Sequence, residues 1–177
     1  MCESLLVFFE KYQTFVVGVL GFGGVICTII MNARLSRIQN DRQINHEREA
    51  LRTAICSELE LIRKMFEGRC EMAHEKGGPQ SAFYPEHTSN QVYQQFINRI
   101  GLLSANEIEV VMEAYALVSD LPMRLQFLST DHDPSFDRPG YIFIDSEHAE
   151  TAIEIHKSFL PKIALAIKTL RDSLKAE

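Results

Sequence analysis

Residues Thr14 to Met31 read TFVVGVLGFGGVICTIIM, 18 residues without a charge in a 177-residue chain that is 24% charged overall. As a helix rising 1.5 Å per residue the run is about 27 Å long, close to the ~30 Å hydrocarbon thickness of a bilayer. A segment in lipid must satisfy its own backbone N–H and C=O groups, which a single pass does only as a helix. The run predicts one transmembrane helix over 14–31, a short extracytoplasmic N-terminus over 1–13 and a water-facing remainder.

The charges beside the run predict its orientation. Lys11 is the one Lys or Arg before it, and Arg34, Arg37 and Arg42 follow closely. Positive residues collect on the cytoplasmic side, so the C-terminal part is expected in the cytoplasm and the N-terminus outside. A cleaved signal peptide would need a basic n-region and a small-residue cleavage site. The first thirteen residues are instead neutral to acidic. Cys2, Cys27, Cys56 and Cys70 have no framework spacing, in keeping with free thiols in a reducing compartment. No lipobox precedes Cys2. Leu5 to Phe9, Tyr12 and Phe15 form an aromatic-rich collar suited to a headgroup interface.

Within the apolar run, Gly18, Gly21, Gly24 and Thr28 share one helical stripe. Small residues let helix backbones approach closely in lipid, so this stripe is a candidate for helix packing or homo-oligomer formation. From Asn32 to Arg52 five arginines face Asp41, Glu47 and Glu49, a net of +2, whereas from Thr53 onward 12 basic residues face 19 acidic ones, a net of −7. Phosphate neutralisation needs a basic face, which argues against a nucleic-acid partner.

No Pro or Gly occurs between the run and Gly68, so the helix is expected to continue through a polar stalk over 32–50. Leu51, Ile55, Leu59, Ile62 and Phe66 then form an amphipathic stripe, with Gly68 as its expected stop. Ser89 is the expected cap of a second helix burying Tyr93, Phe96, Ile100 and Leu103. Ser104-Ala-Asn-Glu107 is a capping box opening a third helix. That helix carries Ile108, Val111, Tyr115, Val118, Leu121, Leu125 and Leu128, with a kink expected at Pro122. Asp145 or Ser146 caps a last helix with His156, Leu160, Ile163, Ile167, Leu170 and Leu174 in alternating steps of four and three, and a second kink at Pro161. Such spacing predicts an all-α fold: an up-down-up-down four-helix bundle over 51–177, tethered by the N-terminal helix. In that topology the long loops 74–88 and 129–145 share the membrane-distal end, where Ala82-Phe83-Tyr84 meets Tyr141-Ile142-Phe143-Ile144.

Chemistry-bearing clusters are sparse. Asp131, His132, Asp133 and Asp137, with Glu147 and His148, have ligand-type side chains but match no EF-hand or His-x-x-x-His spacing, and suit a solvated turn better. Cys70 and His74 are four apart, yet zinc would need two more ligands. Cys56 is expected as buried packing. His156 sits on the apolar stripe, either as a pH-responsive core residue or with its nitrogens satisfied at the stripe edge. There is no Gly-rich phosphate loop, GxSxG, HExxH or Walker pattern. The expectation is no catalytic residue, no metal and no cofactor.

The segments Arg52–Leu59 (RTAICSEL), Val92-Tyr93, Ile100-Gly101-Leu102-Leu103, Val110-Val111 and Tyr115 resemble a pattern found in uncharacterised bacterial single-pass inner-membrane proteins with a helical cytoplasmic domain. The resemblance covers about two thirds of the chain and implies a bacterial inner-membrane setting; it brings no activity and no functional residues.

Together these readings predict a non-enzymatic, membrane-tethered module that recruits or regulates a protein partner at the cytoplasmic face. Its expected interaction surface comprises Phe83, Tyr84, Asp131, His132, Asp133, Arg138, Tyr141 and Phe143, aromatic anchors with a polar rim. The alternative reading is a small-ligand or ion-sensing domain using the loops 74–88 and 129–145.

Overall fold

A computed structural model describes the backbone of residues 2–75, 78, 80–87, 90–129 and 138–176, with side chains at 15, at 17–73 and at the later described positions up to 175. The structure is 84% helical, with four α-helices among the described residues. The elements are α1 (Cys2–Glu75), β1 (Ala82–Pro85), α2 (Gln91–Phe96), a 3-10 turn (Ile97–Leu102), α3 (Ala105–Gln126), β2 (Tyr141–Ile144) and α4 (Ser146–Ala176). They divide into two compact units, residues 1–46 and 47–177. The boundary falls a few residues before the stalk end read from the sequence.

In the first unit, α1 is the one helix among the described residues that is long and apolar enough to cross a membrane. Phe15, Leu20, Phe22, Ile29 and Met31 all present their side chains outward. Thr28 Oγ1 donates to the Gly24 carbonyl at 2.9 Å. A Cβ added at Gly18, Gly21 or Gly24 would meet nothing within 4 Å, so this stripe is an open face.

The second unit is built around one apolar core. The α1 stripe Leu51, Ile55, Leu59, Ile62 and Phe66 is fully buried. So are Val111, Tyr115, Val118, Leu121 and Leu125 of α3, and Ile163, Ile167 and Leu170 of α4. Cys56 is buried among them as packing, and burial pushes its thiol up despite the nearby Arg171. Phe159, Ala152 and Ala166 complete the core. Ion pairs tie the helices together at the surface, Lys162 with Glu113 and Arg171 with Glu60, each at 2.7 Å.

Several local features differ from the sequence reading. The chain is not purely helical: β1 and β2 pair antiparallel, with Phe83 opposite Phe143 and Tyr84 opposite Ile142. The two aromatic segments therefore meet, as hydrogen-bonded strands. Glu86 N donates to Gly140 O at 2.9 Å, extending the ladder toward its turn, where Gly140 adopts φ +79°, a conformation open to glycine. Gly68 does not stop α1, which runs on to Glu75. One interior glycine costs only about 1 kcal/mol, and the buried Phe66 anchors the adjoining turn. The second helix is short and tightens into the 3-10 turn before Leu103, leaving Tyr93, Phe96 and Ile100 only half-buried. Its N-cap is Asn90, and the predicted cap Ser89 lies outside the described residues. The capping box at Ser104 and Glu107 is present on both sides, and α3 runs through Pro122 as α4 does through Pro161.

Candidate functional site

Three layers of buried polar chemistry run along the second unit. At one end Glu107 closes the capping box, its carboxylate accepting from the Ser104 amide at 2.7 Å. The same carboxylate accepts from Arg52 Nε of α1 at 2.8 Å. Both side chains are sealed from water, at 7% and 1% exposure. Burial alone would raise Glu107, but bonds from Arg52 and Ser104 overcome it and hold its carboxyl below the usual value. Arg48 Nε donates to the Leu102 carbonyl at 2.8 Å, pinning the 3-10 turn to α1. This layer is structural: Arg52 fastens the start of α3 to α1, and Arg48 fastens the 3-10 turn before it.

The middle layer is centred on Glu58. Its carboxylate accepts from the Val92 amide at 2.9 Å and the Tyr93 amide at 3.0 Å. Those are orphan donors in the first turn of α2, whose N-cap Asn90 gives them no side-chain capping bond. Tyr115 of α3 donates its hydroxyl to the same carboxylate at 2.6 Å. Tyr93 stacks on Tyr115 with centroids 4.0 Å apart. Burial, reinforced by the Glu58 bond, raises the Tyr115 phenol far above the ordinary range. A carboxylate holding three donors in this way is a cap supplied from another helix.

The third layer lies where β1 and β2 close the core. Strand alternation divides the ladder: Tyr84, Ile142 and Ile144 point inward, while Phe83, Tyr141 and Phe143 point outward. Tyr84, predicted as part of the surface, is thus only 3% exposed. Burial raises its phenol, and the Arg69 guanidinium lies 4.6 Å from its ring centroid. On the outer face Phe83 packs on Phe143 at 5.1 Å, and the Arg138 guanidinium lies 4.1 Å from the Phe83 ring centroid. Tyr141 is exposed beside them. Ser81 Oγ donates to Asp145 Oδ1 at 3.0 Å, joining the two strands' ends. Asp145 also accepts from the Ser146 amide at the start of α4, and that bond holds its carboxyl down.

Beneath the inner face is a cavity of about 270 Å³ lined by Ile62, Met65, Phe66, Arg69, Tyr84, Pro85, His87, Val118, Leu121, Leu125 and His156. His156 is 1% exposed, edge-on to Phe66 at 4.9 Å and tilted against Tyr84 at 5.4 Å. Its Nδ1 lies 2.7 Å from the Ala152 carbonyl. A carbonyl only accepts, so Nδ1 carries the proton and Nε2 is an acceptor. Burial pushes the imidazole down to about 4, and the Arg69 charge adds to that shift. Of the two readings for His156, the core position is the one adopted.

The remaining predicted residues separate. Asp131, His132, Asp133 and Asp137 lie outside the described residues, as does the His74 side chain. Arg138, Phe83, Tyr141 and Phe143 come together. Among the described residues no three His, Cys, Asp or Glu side chains converge as metal ligands would. The Glu58 cap and the His156 cavity were missed as sites. Helical spacing placed Tyr115 and His156 on apolar stripes, but no local pattern pairs them with Glu58 or Arg69. No family model, curated protein or solved structure matches this chain.

Proposed function

We propose that this chain is a membrane-anchored helical module that holds a protein partner at the cytoplasmic face of a bacterial inner membrane. The observation that carries the reading is the apolar side chains displayed outward from Phe15 to Met31. Soluble monomers rarely expose so large a contiguous apolar surface, which lipid would cover. The arginine excess after the run favours a cytoplasmic second unit.

The second unit supports a binding role over a catalytic one. Glu58 and Glu107 are consumed in capping, and Arg52 in pairing with Glu107. The order of contacts supports the up-down-up-down course: Arg52 with Glu107, Glu58 with Tyr115, and Phe66 with His156. The outer face of the strand ladder, with Phe83, Phe143, Tyr141 and Arg138, supplies aromatic anchors beside a cation, a composition typical of interfaces.

Two measurements in one strain test the reading. A C-terminal reporter active only in the cytoplasm is expected to work, and one active only in the periplasm to fail. A photo-crosslinking residue at position 141 is expected to trap a discrete protein in intact membranes, and one at the exposed position 109 to trap none. A periplasmic reporter signal removes the placement, and equal crosslinking at 141 and 109 removes the interaction surface.

A further inference from the structure

We propose that the cavity between Phe66, Tyr84 and His156 is a binding site for a small aromatic carboxylic acid bearing one hydrogen-bond donor on its ring, with Arg69 as the counter-ion and His156 Nε2 as the acceptor.

The walls dictate the ligand's body. Phe66 and His156 meet edge to face, Tyr84 tilts against His156, and Leu121 and Leu125 line the same cavity. These rings pack against one another and turn aromatic surface toward the cavity, a wall on which a flat ring packs well. An apolar cavity of about 150 Å³ accepts benzene. A cavity of about 270 Å³ therefore suits a ligand of about ten to twelve non-hydrogen atoms by the same scaling.

The polar groups dictate the ligand's ends. The lining includes Arg69 and His87 and no Asp or Glu, in a unit that is strongly acidic overall. Among the described residues Arg69 is in no ion pair; its guanidinium lies over the Tyr84 ring and also hydrogen-bonds the phenol. A half-buried guanidinium held over a ring is a ready partner for a carboxylate. His156 supplies the second contact. Its Nδ1–H is spent on the Ala152 carbonyl, and Nε2 has no hydrogen-bond partner among the described residues. His156 lines the cavity, where a phenolic or indolic donor would bond that nitrogen. Arg69 and His156 line the same cavity of about 270 Å³, so one ligand filling it meets both. The site stands apart from the outer ladder face and does not depend on the partner reading.

The test uses the full chain in lipid nanodiscs and three probes: 4-hydroxyphenylacetate, 4-hydroxyphenylacetamide and phenylacetate. The acid with the hydroxyl is expected to bind saturably, the amide at least about tenfold more weakly for loss of the charge, and phenylacetate several-fold more weakly for loss of the donor. Met65→Trp fills the cavity mouth from a position 44% exposed, where folding tolerates it, and is expected to abolish binding. Arg69→Gln is expected to bring acid and amide to equal affinity. The acid–amide comparison is made on the unaltered protein, so it stands whatever a variant's stability. Equal binding of acid and amide, no saturable binding of the acid, or unchanged affinity in Met65→Trp overturns the proposal. Equal binding of phenylacetate and its hydroxylated form removes His156 from the site and with it the donor requirement.

Discussion

Tyr115 of α3 donates its hydroxyl to Glu58 of α1 across 2.6 Å, and the same carboxylate caps the first turn of α2. Three helices thus share one buried anion. A carboxylate removed from water is costly on its own, and here its cost is offset by two backbone amides and a phenol. The arrangement also explains how a helix as short as α2, which an isolated chain would not sustain, keeps a defined start.

Removing that anion should destabilise the unit more than removing any one donor. Glu58→Ala leaves two amides and a hydroxyl without their acceptor, an expected loss of about 3–5 kcal/mol. Tyr115→Phe deletes a single bond to a charged group and is expected to cost about 1.5–3 kcal/mol. Denaturant unfolding of the full chain in detergent measures both. A double variant no worse than Glu58→Ala alone would show that the two act through one interaction; strict additivity would show that they do not.

His156 sets a pH dependence between about 4 and 6.5. The folded imidazole is depressed, so the unfolded chain binds a proton in this window and the folded chain does not. Stability therefore falls as pH drops from 6.5 to 4 and this contribution is flat outside that range. The shift corresponds to about 3 kcal/mol for a fully buried group. His156→Phe should flatten the profile across the window. An unchanged slope in that variant would mean that another group titrates there.

Glu107 acts at lower pH. Its carboxyl is held below 4.5 by Arg52 and Ser104 against the opposing effect of burial. The stabilisation is fully present above the unfolded value and is lost as pH falls through the folded one. Glu107→Gln removes the carboxylate charge that Arg52 Nε meets inside the core and should cost about 3–5 kcal/mol at neutral pH. The gap between variant and wild type should shrink below pH 4.5. A gap that stays constant into acid would assign the effect to the cap alone.

Core truncations follow the depth of each stripe. Leu59 and Ile163 are fully buried, and changing either to Ala should cost about 2–4 kcal/mol. Ile100 is half-buried in the 3-10 turn, so its loss should be smaller. Near-zero changes at both buried positions would contradict a shared core.

Much of the helical core was legible because helical periodicity is local. The stripe from Leu51 to Phe66 and those of α3 and α4 follow from spacing alone, and the Ser104–Glu107 box is written within four residues. What was not legible depends on partners distant in sequence. The cap of α2 comes from Glu58, more than thirty residues earlier, so Asn90 carries no sign of it. Four-residue strands have too little alternation to be told from loop, and β1 finds its partner only through Ile142 and Ile144 docking on the core. Tyr84 was misplaced for that reason: until the pairing is known, nothing decides which face of the segment turns inward.

That pairing gives the last expectation, because the ladder's two faces should separate stability from recruitment. Tyr84 lies inward at 3% exposure and Tyr141 outward at 54%, though both belong to the same small sheet. Tyr84→Ala opens a cavity beneath the ladder and should cost about 3–5 kcal/mol. Tyr141→Ala removes an exposed ring and should change stability by no more than about 0.5 kcal/mol. If the outer face holds a partner, Tyr141→Ala combined with Phe83→Ala should abolish partner crosslinking in intact membranes while the unfolding midpoint stays close to wild type. Crosslinking that survives the pair, in a protein that remains folded, would show that these aromatics only seal the end of the core. The exposed Gly18, Gly21 and Gly24 stripe would then be the next surface to test, by replacing Gly21 with Leu and measuring helix association in the membrane.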